Sequence, residues 1–132
     1  MVLNTALICL AMNVYYEARS EGMMGKYAVA QVVVNRVEHE NFPDTVCGVV
    51  KQRRSNRLHS CQFSWYCDGR PDNPRNQRAW AEAQIIAHDV LTGAVPDVTD
   101  GALFYHADYV TPYWAEEFTE TVTYGSHIFY RY

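Results

Sequence analysis

Two glutamates four residues apart, Glu17 and Glu21, close an apolar run in the stretch YYEARSEG, residues 15–22. Carboxyls placed this way serve either as helix-end acids in structural hydrogen bonds or as acids kept protonated where water is scarce. Leu3, Leu7, Leu10, Ala11 and Val14 recur at helical spacing, and extending that stripe lands on Glu17 and then on Glu21. Glu17 thus falls on the C-terminal edge of a buried face. The negative end of a helix disfavours a carboxylate there. Burial, the helix terminus and a nearby Glu21 all act to raise the Glu17 pKa. An acid that holds its proton near neutral pH can act as a general acid.

The elements that must position this acid are one unit, residues 1–132, with no linker, repeat or low-complexity segment. Hydrophobic residues make up 48% and charged residues 20%, which fits a folded core and excludes a disordered chain. A formal net charge of -4 gives no reason to expect nucleic-acid binding. Ten tyrosines suit a sugar-binding cleft or a well-packed core equally. No apolar run approaches the length of a membrane span, and residues 1–14 lack the basic start of a convincing secretion signal. Cys9, Cys47, Cys61 and Cys67 have no CxxC spacing and leave the compartment open.

In the first helix Asn4 is a plausible N-cap, with Leu3 and Ile8 spaced for a hydrophobic staple. Residues 25–38 contain a VVV run, yet fourteen residues without a turn signal predict a central, buried helix. NFPD breaks the chain, and Asp44 can cap a short helix through Val50. KQRRSNRLHS reads as an exposed basic loop. CQFSWYC alternates strictly and predicts a strand, with Phe63 and Trp65 toward the core and Gln62, Ser64 and Tyr66 toward a cleft. In a continuous strand Cys61 and Cys67 lie about 20 Å apart and cannot bond, whereas a tight turn would reverse that. Asn73 and Pro74 open a helix carrying Trp80, Ala83, Ala87, Val90 and Leu91. ALFYH predicts a short strand, PYWAEEF a helical turn, and TVTY with HIFYRY a hairpin closed by a type II′ turn at Gly125-Ser126. The fold class is α+β.

YYEARSEG, GKYAVAQVVVNRV, FPDTVCGVV, CQFSWYCDG, GALFYHA and SHIFYR occur in this order over nearly the whole chain. That series resembles the SleB-like cell-wall hydrolases, the family named for the germination-specific spore-cortex-lytic enzyme. The resemblance implies a compact lysozyme-like catalytic domain, mostly helical with a small β element beside the cleft. Its expected substrate is the peptidoglycan glycan strand, cut between N-acetylmuramic acid and N-acetylglucosamine. It makes Glu17 the expected catalytic acid, and Tyr16 stands where many relatives have glycine. Cleaving a glycosidic bond requires protonation of the leaving oxygen, and two-carboxylate glycosidases need a second acid across the sugar. Glu21 is badly placed for that, since residues four apart on a helix share a side.

A single acid suits a lytic transglycosylase giving 1,6-anhydromuramyl ends; hydrolysis by a muramidase stays open. Glu21, Gln62, Ser64, Tyr66, Tyr105 and His106 are the candidate substrate-binding residues, while Trp65 and Trp80 read as core. Five histidines and four cysteines raise the alternative of a zinc amidase, but no HExxH or paired spacing supports a metal site, and no cofactor is expected. A non-catalytic glycan-binding module is a further alternative. The expected partner is the glycan strand alone, with a monomer, no integral membrane contact, and a setting such as a phage lysin that reaches the wall from the host cytoplasm.

Overall fold

The computed structural model describes residues 2–132, with side chains from residue 5 onward. Within those residues, helices α1 (Val2–Ala18), α2 (Met23–Val37), α3 (Val46–Val50) and α4 (Gln77–Leu91) precede a small sheet. Its strands are β1 (Phe104–Ala107), β2 (Thr119–Tyr124) and β3 (His127–Arg131), with β3 in the middle and both pairings antiparallel. The class is α+β, as the sequence predicts. No helix among the described residues is long and apolar enough to cross a membrane.

Helix α2 is the central element. Ala28, Val29, Ala30, Val32 and Val33 are fully buried, so apolar residues on most sides override the strand preference of the VVV run. One cluster joins Leu10, Ala11 and Val14 of α1 to Ala30 and Val33 of α2, Val49 and Val50 of α3, and Ile86 and Ala87 of α4. A second joins Ala18 and Val29 to Phe129 of the sheet. Cys9 of α1 is bonded to Cys47 of α3, with Cα atoms 5.3 Å apart.

Helix starts differ from the sequence expectation in two places. Thr45, not Asp44, caps α3, its hydroxyl accepting from the Gly48 amide at 3.0 Å. Asn76 caps α4 through the Ala79 amide at 2.9 Å, so that helix begins three residues beyond the Asn73-Pro74 signal. Each stretch offers two capping residues, and the cap falls to the one whose side-chain oxygen reaches a first-turn amide. The cap assigned to Asn4, and the Leu3 half of its staple, lie outside the described residues. The hairpin forms as expected, with Tyr124 opposite His127 across Gly125-Ser126 and only Gly125 at positive φ.

CQFSWYC departs most from expectation. It is an extended residue, Phe63, followed by a single 3-10 turn over Ser64–Cys67, not a strand. The turn brings the Cys61 and Cys67 Cα atoms within 5.9 Å, and the two are bonded. Phe63, Trp65 and Cys67 are buried all the same, while Gln62 and Ser64 face solvent. Period-two burial over so few residues fits a strand or one tight turn, and the crosslink decides for the turn.

Candidate active site

Glu17 lies in the last turn of α1, where the two hydrophobic clusters meet: Val14 and Tyr15 pack into the first, Ala18 into the second. Its side chain is half-buried. The Tyr105 hydroxyl on β1 donates to Glu17 Oε1 at 2.5 Å. Burial pushes the Glu17 pKa above the ordinary carboxylate value; the Tyr105 hydrogen bond and the Arg36 charge pull it back by less. Burial, and then the Glu17 charge, hold the Tyr105 hydroxyl well above its ordinary pKa, so it stays a donor.

Arg36, in the last turn of α2, is only 3% exposed. Its Nε donates to the Leu103 carbonyl at 2.7 Å, and its guanidinium lies 5.0 to 5.7 Å from the ring centres of Phe42, Phe63 and Phe104. It makes no ion pair with Glu17 within contact range among the described residues, yet its charge favours the carboxylate form of that acid. Asn13, one turn before Glu17 on α1, is fully buried and accepts the Trp65 indole N–H at 2.8 Å. Sequence reasoning missed Arg36 and Asn13. The available signal was a charged and an amide residue placed on otherwise apolar helix faces, where burial demands a partner.

Glu21 is held by the β2–β3 turn. Its Oε1 accepts from the Ser126 amide at 3.0 Å and its Oε2 from the Ser126 hydroxyl at 3.1 Å. His127 Nδ1 stands 3.6 Å from the same carboxylate. A Cβ on Gly125 would come within 2.6 Å of Glu21 Oε1, so this tether requires glycine at the turn on steric as well as backbone grounds. Glu21 thus ties the hairpin to the end of α1.

Alternation along β1 separates Tyr105 from His106. Tyr105 turns toward Glu17, His127 and Phe129. His106 turns to the other face, stacked on Tyr130, with Nε2 bonded to the Tyr130 hydroxyl and Nδ1 to the Ala107 carbonyl. Both its nitrogens are engaged within the protein. Tyr66 packs edge-on against Trp65, and Trp65 stacks on Tyr16 with ring centres 5.0 Å apart. Gln62, Ser64 and Tyr66 therefore sit on a turn that leans on α1 through Trp65 and Tyr16, not on a strand. Among the described residues no three His, Cys, Asp or Glu side chains are grouped to hold a metal ion.

The sequence matches the cell wall hydrolases over residues 20–130, a span that opens just after Glu17. This chain belongs to that family. It is 33% identical over 121 residues to the spore cortex-lytic enzyme of Bacillus cereus and 32% identical over 123 residues to that of Oceanobacillus iheyensis, covering 91% of the present chain each time. It spans 42% and 39% of the length of those two relatives. The fold matches the catalytic domain of the germination-specific lytic transglycosylase SleB from Bacillus anthracis, with a TM-score of 0.77 and 31% identity over 96% of this chain and 93% of that one. The catalytic domain of Bacillus cereus SleB gives a TM-score of 0.75 at 32% identity, over 96% and 91% of the two chains.

Proposed function

We propose that residues 1–132 form one catalytic domain that cleaves peptidoglycan glycan strands between N-acetylmuramic acid and N-acetylglucosamine as a lytic transglycosylase. The observation that carries this reading is the half-buried Glu17, with one oxygen held by Tyr105. Because Oε1 accepts the Tyr105 hydroxyl, the proton of the neutral acid sits on Oε2. Glu17 gives that proton to the glycosidic oxygen as the bond to C1 of N-acetylmuramic acid breaks. The carboxylate left behind is stabilised by the Tyr105 hydrogen bond and the Arg36 charge. It then takes the proton of the muramyl 6-hydroxyl as that oxygen attacks C1. The product is a 1,6-anhydromuramyl end, and Glu17 is reprotonated. A single acid suffices for this cycle, which agrees with the engagement of Glu21 by the hairpin.

Tyr105→Phe tests the pairing. It keeps the ring and removes the one hydrogen bond that favours the Glu17 carboxylate, so the Glu17 pKa rises further. Activity needs the protonated acid and falls as pH rises through that pKa, so the alkaline limb of the pH–rate profile should shift upward. The maximal rate should drop about tenfold or more, because the carboxylate formed after proton transfer is less stabilised. An unchanged alkaline limb, with the variant folded, would detach Tyr105 from the acid's titration.

A further inference from the structure

Tyr105, which holds Glu17, sits on a strand clamped at both ends. At the entry to β1 two donors of α2 grip the backbone: Asn35 Nδ2 reaches the Ala102 carbonyl at 2.9 Å and Arg36 Nε the Leu103 carbonyl at 2.7 Å. At the exit Ala107 pairs with His127, and the Asp108 amide donates to the Ser126 carbonyl at 2.7 Å. Ser126 is the residue that Glu21 grips, through its amide and its hydroxyl. Glu21 follows directly on α1, its own amide donating to the Ala18 carbonyl at 3.0 Å. Hydrogen bonds thus run from the end of α1 through Ser126 to the residue after β1. Glu17 closes the circuit, because its Oε1 accepts the Tyr105 hydroxyl.

Only 10% of the Glu21 side chain is exposed, and a carboxylate buried so far is costly unless its oxygens are engaged. His127 touches both sides of the circuit: its Nδ1 is 3.6 Å from Glu21 Oε1, and its ring centre is 5.1 Å from that of Tyr105. Burial holds the His127 pKa below its ordinary value; Glu21 and Asp108 pull it up and His106 adds to the lowering. The ring is therefore neutral at neutral pH, and the grip on Ser126 is the work of Glu21. We infer that Glu21 is a positioning residue for the catalytic acid: through Ser126 it fixes the exit of β1 and so keeps the Tyr105 hydroxyl on Glu17. The competing account is that the apolar cluster of Ala18, Val29 and Phe129 sets the sheet by itself. The inference rests on the reading of Glu17 as the acid that cuts the glycan strand.

Reach and charge are separable at this position. Glu21→Asp keeps the charge and shortens the side chain by one methylene, whereas Glu21→Gln keeps the reach and drops the charge. The groups that act on the Glu17 charge are Tyr105 and Arg36, and losing the Tyr105 bond raises the Glu17 pKa. The titration of Glu17 is read in two ways: by carbon-13 NMR of its carboxyl without substrate, and as the alkaline limb of the pH–rate profile on purified peptidoglycan. Glu21→Asp should move both upward, in the direction of Tyr105→Phe, and lower the maximal rate about tenfold. Ser126→Ala, which removes only the bond to Oε2, should do the same by less, and Glu21→Gln should titrate as the parent does. In a Tyr105→Phe background Glu21→Asp should move neither further, since no hydroxyl is left to place. Thermal melting establishes that each variant is folded during the assay; if Glu21→Asp is not, Ser126→Ala carries the same comparison. A Glu17 titration by NMR that stays at the parental value overturns the inference. So do equal shifts in Glu21→Asp and Glu21→Gln, or an undiminished shift in the Tyr105→Phe background. A titration that moves by NMR while the pH–rate profile stays in place would sink the reading of Glu17 as the acid and leave the positioning standing.

Discussion

Glu17→Gln should abolish lysis of purified peptidoglycan, lowering the rate by at least about 10³-fold, while the protein stays folded. The amide keeps the shape and still accepts the Tyr105 hydroxyl, but it has no proton to give a glycosidic oxygen. Its stability should move the opposite way from its activity. Burial raises the Glu17 pKa above its unfolded value, so the folded state holds that proton more tightly. The resulting stabilisation is complete below the unfolded-state pKa and is lost as pH climbs through the folded one. Glutamine carries no such penalty. The variant should therefore melt no lower than the parent at neutral pH, and any advantage should vanish in acid. Glu21→Gln should stay within a few-fold of parental activity, since a turned amide can accept from the Ser126 amide and donate to the Ser126 hydroxyl. Equal losses in the two variants would replace the single acid by a coupled pair.

Truncating side chains of the 61–67 loop should divide them by burial. Phe63→Ala and Trp65→Ala each remove a ring that is less than 8% exposed, at a cost of about 3–5 kcal/mol. Phe63 also faces the buried Arg36 cation, and among the described residues the Trp65 indole is the one hydrogen-bond partner of the Asn13 side chain. Both losses add to the cavity term. Gln62→Ala and Ser64→Ala touch exposed side chains and should change the melting temperature little. Thermal denaturation of the four variants checks this. A Gln62→Ala protein that unfolds beside a stable Phe63→Ala protein would contradict the burial order.

Much of this was legible in the sequence because local pattern and tertiary packing agree. The apolar stripe of α1 leads to Glu17, the length of the 25–38 segment outweighs its valines, and Gly125-Ser126 marks the hairpin. The failures share a physical origin. CQFSWYC is too short for periodicity to distinguish a strand from one turn, and the Cys61–Cys67 bond that settles it is a tertiary fact. Tyr105 and His106 are adjacent in sequence, but a strand sends neighbours to opposite faces, so only Tyr105 reaches the acid. Glu21 has the right residue type beside the right acid, yet its partner is the amide of Ser126, 105 residues away. The surroundings of Arg36 are a tertiary fact, because Phe63 and Phe104 join the nearby Phe42 around its guanidinium from far along the chain.

The most direct measurement is the mass of the soluble fragments released from purified peptidoglycan. Cleavage by Glu17 alone, with the muramyl 6-hydroxyl as nucleophile, predicts disaccharide-peptides one water lighter than reducing ones, and predicts their disappearance with Glu17→Gln. Fragments ending in reducing N-acetylmuramic acid would show that water attacks C1, and would require a second group to activate it. Free stem peptides with intact glycan strands would contradict the account outright.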